Sequence, residues 1–120
     1  MMALRIGDSV VVKPGVFEPD FGMDIGGWQG RIKEIDDAGT VLITWDSITL
    51  RQMGLDVAIR CENENLDWEL MTLDTTEIER TASRDSEADV RRVADVMKIE
   101  MMDDPRLDAE QSRPTAGALP

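Results

Sequence analysis

The stretch GGWQGRIKEI, residues 26–35, decides the fold. Three glycines surround a tryptophan, and Ile32 lies between the polar residues Arg31 and Lys33, as is typical of a half-buried strand. A glycine-rich phosphate site would need a helix after the glycines, with a lysine beside it. A strand follows instead, so we interpret these glycines as letting a long loop turn into a tightly curved sheet.

Further strands are predicted on both sides of this stretch. Runs of β-branched residues bounded by turn residues predict strands at 9–13, 28–35, 40–45 and 48–52, with a brief closing strand at 78–80. Residues 55–65 predict a short helix, and the capping-box spacing at 74–77 predicts one helical turn. Four side chains are expected to face the core: Val11, Ile32, Val41 and Ile43.

This order of strands resembles small SH3-like barrels. Residues 30–35 are similar to the G-x-V-x-x-I core of KOW-type segments, through Gly30, Ile32 and Ile35. Residues 41–46 are similar to the V-x-V-x-W-D run of Mib/Herc2-type domains, through Val41, Ile43, Trp45 and Asp46. The segments VKPGV, EPDFG, DIGGWQGRI and WDSITL together also resemble a family of short, uncharacterised bacterial proteins that share this barrel.

The resemblance implies a mainly β fold. We expect an SH3-like barrel domain at residues 4–80 with a short inserted helix, a C-terminal α-helix at 84–102 and a disordered tail at 103–120. The C-terminal helix has an apolar stripe at helical spacing, which either docks on the barrel or is presented to a partner. The stripe consists of Val90, Val93, Ala94, Met97 and Met101.

Charge and composition restrict the function. Thirteen Lys and Arg stand against 25 Asp and Glu, a net charge of −12, and such a surface repels the phosphates of nucleic acids. KOW-type proteins are basic, so we carry over the fold and not RNA binding. No run of about 18 apolar residues is present, which predicts no membrane association.

Missing residue types argue against an enzyme. The chain has no histidine, which excludes a Ser-His-Asp or Cys-His arrangement within it. Cys61 is the single cysteine and lies near Glu62 and Glu64, so we expect an unreactive thiol. Without an internal disulfide or an export signal at its N-terminus, the chain is predicted to be cytoplasmic. Asp46 at a strand end is expected to cap backbone N–H groups of the turn.

The candidate site is the long loop between the first two strands. In SH3-like barrels this loop commonly supplies aromatic and acidic ligand-binding side chains, and an acidic, aromatic-edged groove suits a basic or proline-rich protein or peptide partner. The alternative is that the aromatic residues belong to the core and the acids are solvated. The candidate ligand-binding residues are Phe17, Glu18, Asp20, Phe21, Asp24 and Trp28.

The same loop also suggests a calcium site. Glu18, Asp20 and Asp24 supply hard oxygen ligands within seven residues, although the E-x-D-x-x-x-D spacing differs from that of an EF-hand. The sequence thus favours a peptide-binding module without a cofactor and leaves two other classes of function open, a calcium-binding protein and an enzyme that uses carboxylates. It does not determine an oligomeric state.

Overall fold

A computed structural model describes residues 3–107 and shows an antiparallel sheet flanked by two helices. The helices contain about as many residues as the strands, so the architecture is mixed α/β. The helices are α1 (Ser47–Asn63) and α2 (Glu87–Met102), and a short 3₁₀ helix spans Thr75–Glu77. The strands are β1 (Ser9–Val12), β2 (Phe17–Glu18), β3 (Met23–Asp24), β4 (Gln29–Ile35), β5 (Thr40–Trp45), β6 (Leu70–Asp74) and β7 (Ile78–Arg80).

The main sheet has five strands in the order β6-β5-β4-β1-β7, with every neighbouring pair antiparallel. Strands β2 and β3 form a separate small hairpin inside the long loop. Within residues 3–107 the sheet is open, because β6 and β7 are its two edges and do not pair with each other. The predicted antiparallel strands are therefore present in a sheet that does not close into a barrel.

The inward face of the sheet carries the core. Ile32, Val41 and Ile43 are buried as predicted. In β1, however, Val10 and Val12 are buried and Val11 is only half-buried, so the predicted orientation of this strand was wrong by one residue. The run SVVV has no polar alternation to set its orientation, which is fixed instead by pairing with β4 and β7.

Gly30 allows β4 and β5 to approach closely. A Cβ atom at this position would lie 2.3 Å from the carbonyl oxygen of Thr44 and 2.7 Å from Cγ2 of Ile43. A β-bulge between Ile32 and Glu34 then shifts the register of the pair. Gly30 therefore leaves room for the neighbouring strand, as expected of a glycine in a tightly curved sheet.

Residues 48–52 form helix and not the predicted fourth strand. Asp46 directly follows β5 and caps α1, since its carboxylate accepts a hydrogen bond from the Thr49 N–H at 2.8 Å. The β-branched pair Ile48-Thr49 has strand propensity, but the cap fixes the first helical turn and outweighs it. Gly54, at φ +75°, interrupts the helix, and its second segment matches the predicted helix at 55–65 to within two residues.

After α1 the chain returns to the sheet as β6. Its inward residues Met71 and Leu73 are buried. Asp74 and Glu77 then form a reciprocal capping box around the 3₁₀ helix, as the spacing predicted. The predicted closing strand is β7, which pairs with β1.

Helix α2 begins after Ser86, which forms a capping box with Asp89. Its buried residues are Ala94, Met97 and Met101, and the helix packs against α1, so the apolar stripe is docked within the chain. Residues 103–107 form a turn, whose Arg106 contacts Asp56 and Asp104. The rest of the predicted tail, residues 108–120, lies outside the described residues.

Candidate functional site

The long loop folds back over the core and buries two of the predicted site residues. Phe21 is 2% exposed and Trp28 is 5% exposed. Their rings lie 5.7 Å apart, and Trp28 meets Trp45 edge-on at 5.2 Å. Trp28 is therefore a core residue that anchors the loop, as the alternative interpretation of the aromatic residues expected.

Two other predicted residues, Phe17 and Asp24, lie on the β2–β3 hairpin. Phe17 pairs across the hairpin with Asp24 and is 61% exposed. The Asp24 carboxylate accepts a hydrogen bond from the Gly26 N–H at 2.7 Å and so stabilises the turn into β4.

The other two predicted residues, Glu18 and Asp20, line a cavity of about 320 Å³ between the long loop and β6, together with the buried Phe21. Asp67 also lines it, and no basic residue does. We call this cavity the acidic groove. Its other lining residues are Leu42, Leu66, Leu70, Met71 and Thr72.

The acidic groove combines negative charge with an apolar surface. Glu18, Asp20 and Asp67 form no ion pair among the ion pairs of residues 3–107, so their charge is available to a ligand. Glu18 accepts a hydrogen bond from the Asp20 N–H at 2.9 Å, and Asp67 accepts one from the Glu69 N–H at 2.8 Å. These local bonds hold the two carboxylates at the rim of the groove.

The geometry does not support the predicted calcium site. Asp24 lies on the hairpin and does not line the acidic groove, where Glu18 and Asp20 do. Within the described part of the chain, no three acidic or cysteine side chains gather closely enough to hold a metal ion. The three acids are close in sequence, which predicted a cluster. Successive side chains of a strand point to opposite faces, however, so the hairpin separates Asp24 from Glu18.

A second cavity, of about 420 Å³, lies between β4 and α2 and was not predicted. We call it the mixed-charge groove, because four of the chain's 13 basic residues line it together with three acids. The basic residues are Arg31, Lys33, Arg91 and Lys98, and the acids are Glu69, Glu87 and Asp95. Two of these cations are held in ion pairs, Arg31 with Asp85 at 2.6 Å and Lys98 with Glu69 at 3.2 Å.

Behind this groove an ionic network ties the segment before α2 to the sheet and to α1. Arg84 donates to the Asp46 carboxylate at 2.7 Å, and Asp46 is 4% exposed. The Asp85 carboxylate accepts hydrogen bonds from Arg31 and from the Ser47 N–H, both at 2.6 Å. The predicted capping role of Asp46 is confirmed, although the capped element is a helix.

The environment of Asp85 favours its ionised form. Burial raises the pKa of this carboxyl, but the hydrogen bonds from Ser47 and Arg31 outweigh burial and leave the pKa below its ordinary value. No sequence pattern pointed to Arg84 or Asp85, because the partners of their side chains are at least 35 residues away along the chain.

Cys61 does not supply a nucleophile. It is fully buried in α1, and burial raises the pKa of its thiol to about 11, with the nearby Glu64, Asp20 and Glu62 acting in the same direction. The unreactive thiol was predicted from the neighbouring acids, but burial is the larger cause.

Comparisons with known proteins found no similar protein: no family model, no curated protein and no solved structure matches the chain. Within residues 3–107, neither helix has the length and apolar character that crossing a bilayer requires.

Proposed function

We propose that this protein is a non-enzymatic peptide-binding module that recognises a basic, extended segment of a partner protein in the acidic groove. The observation that carries the proposal is the lining of that groove, where every charged residue is acidic and the surface between the charges is apolar. The absence of histidine from the chain and the raised pKa of Cys61 support a binding role over a catalytic one.

The chemistry of the groove selects for lysine and arginine. Each basic group can meet a carboxylate at the rim while the methylene stem packs on Leu66 or Leu70. The three carboxylates take part in no ion pair within residues 3–107, so binding a basic segment would reduce the repulsion between them and break no ion pair of theirs. An acidic segment would meet only like charge in this groove.

We also propose that the fold is a variant of the SH3-like barrel and that the protein acts in the cytoplasm. The order of the strands supports the first part, because the first and last strands of the sheet, β1 and β7, are neighbours and a long loop with its own hairpin follows β1. Insertion of α1 between β5 and β6 is the main departure from that pattern. A single, buried, unpaired cysteine supports a reducing compartment.

The direct test is to titrate the protein with a synthetic peptide of alternating lysine and valine and to measure the binding by calorimetry. Asp20→Lys should weaken binding by about threefold to tenfold, since an exposed charge pair contributes about 0.2–1 kcal/mol and reversal adds repulsion. The side chain of Asp20 forms no described hydrogen bond, so the melting temperature should hardly change.

The matched control is Asp37→Lys. Asp37 is an exposed acid in the turn between β4 and β5, it does not line the acidic groove, and its reversal changes the net charge equally. Equal affinities of the two variants would show that net charge attracts the peptide and the groove does not, and would refute the proposal. Binding by wild type should also weaken as salt screens the charges.

A further inference from the structure

The acidic groove runs along a free sheet edge. Strand β6 has one neighbour in the described sheet, β5, and its residues Leu70, Met71 and Thr72 line the groove. A free edge presents unpaired backbone N–H and C=O groups to whatever lies beside it.

The hydrogen bonds at the two ends of the β5–β6 pair fix which groups are free. The Trp45 N–H donates to the Glu69 carbonyl at 3.1 Å, and the Thr75 N–H donates to the Gly39 carbonyl at 2.9 Å. Trp45 with Glu69 and Gly39 with Thr75 are therefore hydrogen-bonded residue pairs, and they belong to one continuous antiparallel register. Such pairs alternate along a ladder, so Met71 and Leu73 are the residues of β6 that bond to β5.

The backbone groups of Leu70 and Thr72 consequently point away from the sheet, two residues apart. Thr72 is exposed and Leu70 is half-buried, and neither has a hydrogen bond on this outer side in the described part of the chain. The next outward N–H, that of Asp74, is already occupied by the Glu77 carboxylate at 2.9 Å. The free edge is thus the segment 70–72, which coincides with the wall of the acidic groove.

We infer that the partner binds by strand addition: its backbone pairs with Leu70 and Thr72 of β6, and its basic side chains meet Glu18, Asp20 and Asp67. This inference rests on the proposed function and specifies how the groove holds its ligand. The backbone pairs would supply affinity for any extended segment, and the acids would supply the selection for basic side chains.

The character of β6 supports this mode of binding. Edge strands are commonly protected from pairing by lysine, proline or a bulge, and the sequence LMTLD has none of these. The acids around the edge repel acidic segments and a second copy of this strongly acidic chain. A proline-rich segment lacks the N–H groups that pairing needs, so the structure favours a basic partner over a proline-rich one.

The decisive variant is Thr72→Pro. The Thr72 N–H points outward and makes no bond to β5, so proline removes the edge donor without breaking the ladder, as proline does on natural edge strands. Affinity for the lysine–valine peptide should fall by about fivefold or more, from the lost hydrogen bond and the bulk of the ring. Thr72→Ala shortens the same side chain but keeps the N–H, so its affinity should stay well above that of Thr72→Pro.

A second measurement uses the wild-type chain and so does not depend on the folding of the proline variant. Amide hydrogen exchange at Leu70 and Thr72 should slow when the lysine–valine peptide binds, while exchange at Met71, whose N–H already faces β5, should change much less. Unchanged exchange at Leu70 and Thr72 under saturating peptide would overturn strand addition.

The two proposals fail in different ways. If Asp20→Lys weakens binding but Thr72→Pro binds like wild type, the acidic groove stands and strand addition is wrong. If Asp20→Lys binds as tightly as Asp37→Lys, the groove itself is not the site and both proposals fall.

Discussion

The acidic groove and the mixed-charge groove open on the same face of the sheet, at Leu42 and Thr44 of β5, but their charges are used differently. In the mixed-charge groove two of the four cations are held by carboxylates of the domain, at 2.6 Å and 3.2 Å. In the acidic groove no described ion pair involves the lining carboxylates. The larger cavity is therefore not the better candidate site.

This difference separates charges that hold the fold from charges that can attract a ligand. Removing one member of a buried ion pair leaves the other desolvated and lowers stability. Changing an unpaired, exposed carboxylate costs little stability but alters the electrostatic field that attracts or repels a ligand. We therefore expect substitutions behind the mixed-charge groove to change folding, and substitutions in the acidic groove to change binding.

The largest effect on stability is expected for Asp46→Ala. The substitution removes the cap of α1, leaves the Thr49 N–H without its acceptor and leaves Arg84 with Thr49 Oγ1 but without its carboxylate, which should lower the free energy of unfolding by about 2–4 kcal/mol. Urea denaturation measures this change. Asp37→Ala, in an exposed turn, is the control and should be neutral; a similar change in both variants would show that the ionic network contributes nothing.

An intermediate effect with a distinctive pH dependence is expected for Asp85→Asn. Because the folded-state pKa of Asp85 lies below its ordinary value of 3.8, its carboxylate stabilises the fold above that pH, and the contribution is lost as the pH falls through the folded-state value. The variant should be about 1–3 kcal/mol less stable than wild type at neutral pH.

Denaturant melts of wild type and Asp85→Asn from neutral pH down to acid conditions test this directly. The two stability curves should converge as the pH drops below 3.8. A constant difference across the whole range would mean that the carboxylate charge is not what binds Arg31 and Ser47.

The smallest effect is expected for Lys33→Glu. Lys33 is exposed on β4, has no ion pair in the described part of the chain, and lines the mixed-charge groove. Stability should stay within about 0.5 kcal/mol of wild type. Affinity for the lysine–valine peptide should be unchanged or slightly higher, because the reversal extends the negative field. A clear loss of affinity in calorimetry would show that the mixed-charge groove takes part in binding and that its charges do not serve the fold alone.

Sequence patterns predicted most of the local structure. The alternation around Ile32 and in residues 40–45 predicted β4 and β5, and the capping spacing at Asp74 predicted the 3₁₀ turn. The apolar stripe at helical spacing predicted α2. These features depend on residues a few positions apart, which interact within one element and need no distant partner.

The candidate site was predicted in part. Glu18 and Asp20 do line a groove, because the turn-rich loop with apolar residues had to fold back over the core. Asp67 and the edge of β6 complete the groove from a segment more than 40 residues away, and no local pattern indicates that meeting. Trp28 was assigned to the site, but contacts with Phe21 and Trp45 bury it in the core.

The sequence by itself determined the acidic surface, the lack of histidine chemistry, the glycine at position 30 and the strands and helix whose periodicity is local. Only the tertiary structure decided the orientation of β1, the helical state of residues 48–52, the ion pairs of Arg84 and Asp85 before α2, and the free edge of β6. The physical reason is the range of the interactions. Periodicity and capping act within a few residues, whereas cross-strand pairing, buried ion pairs and desolvation depend on which distant segments meet.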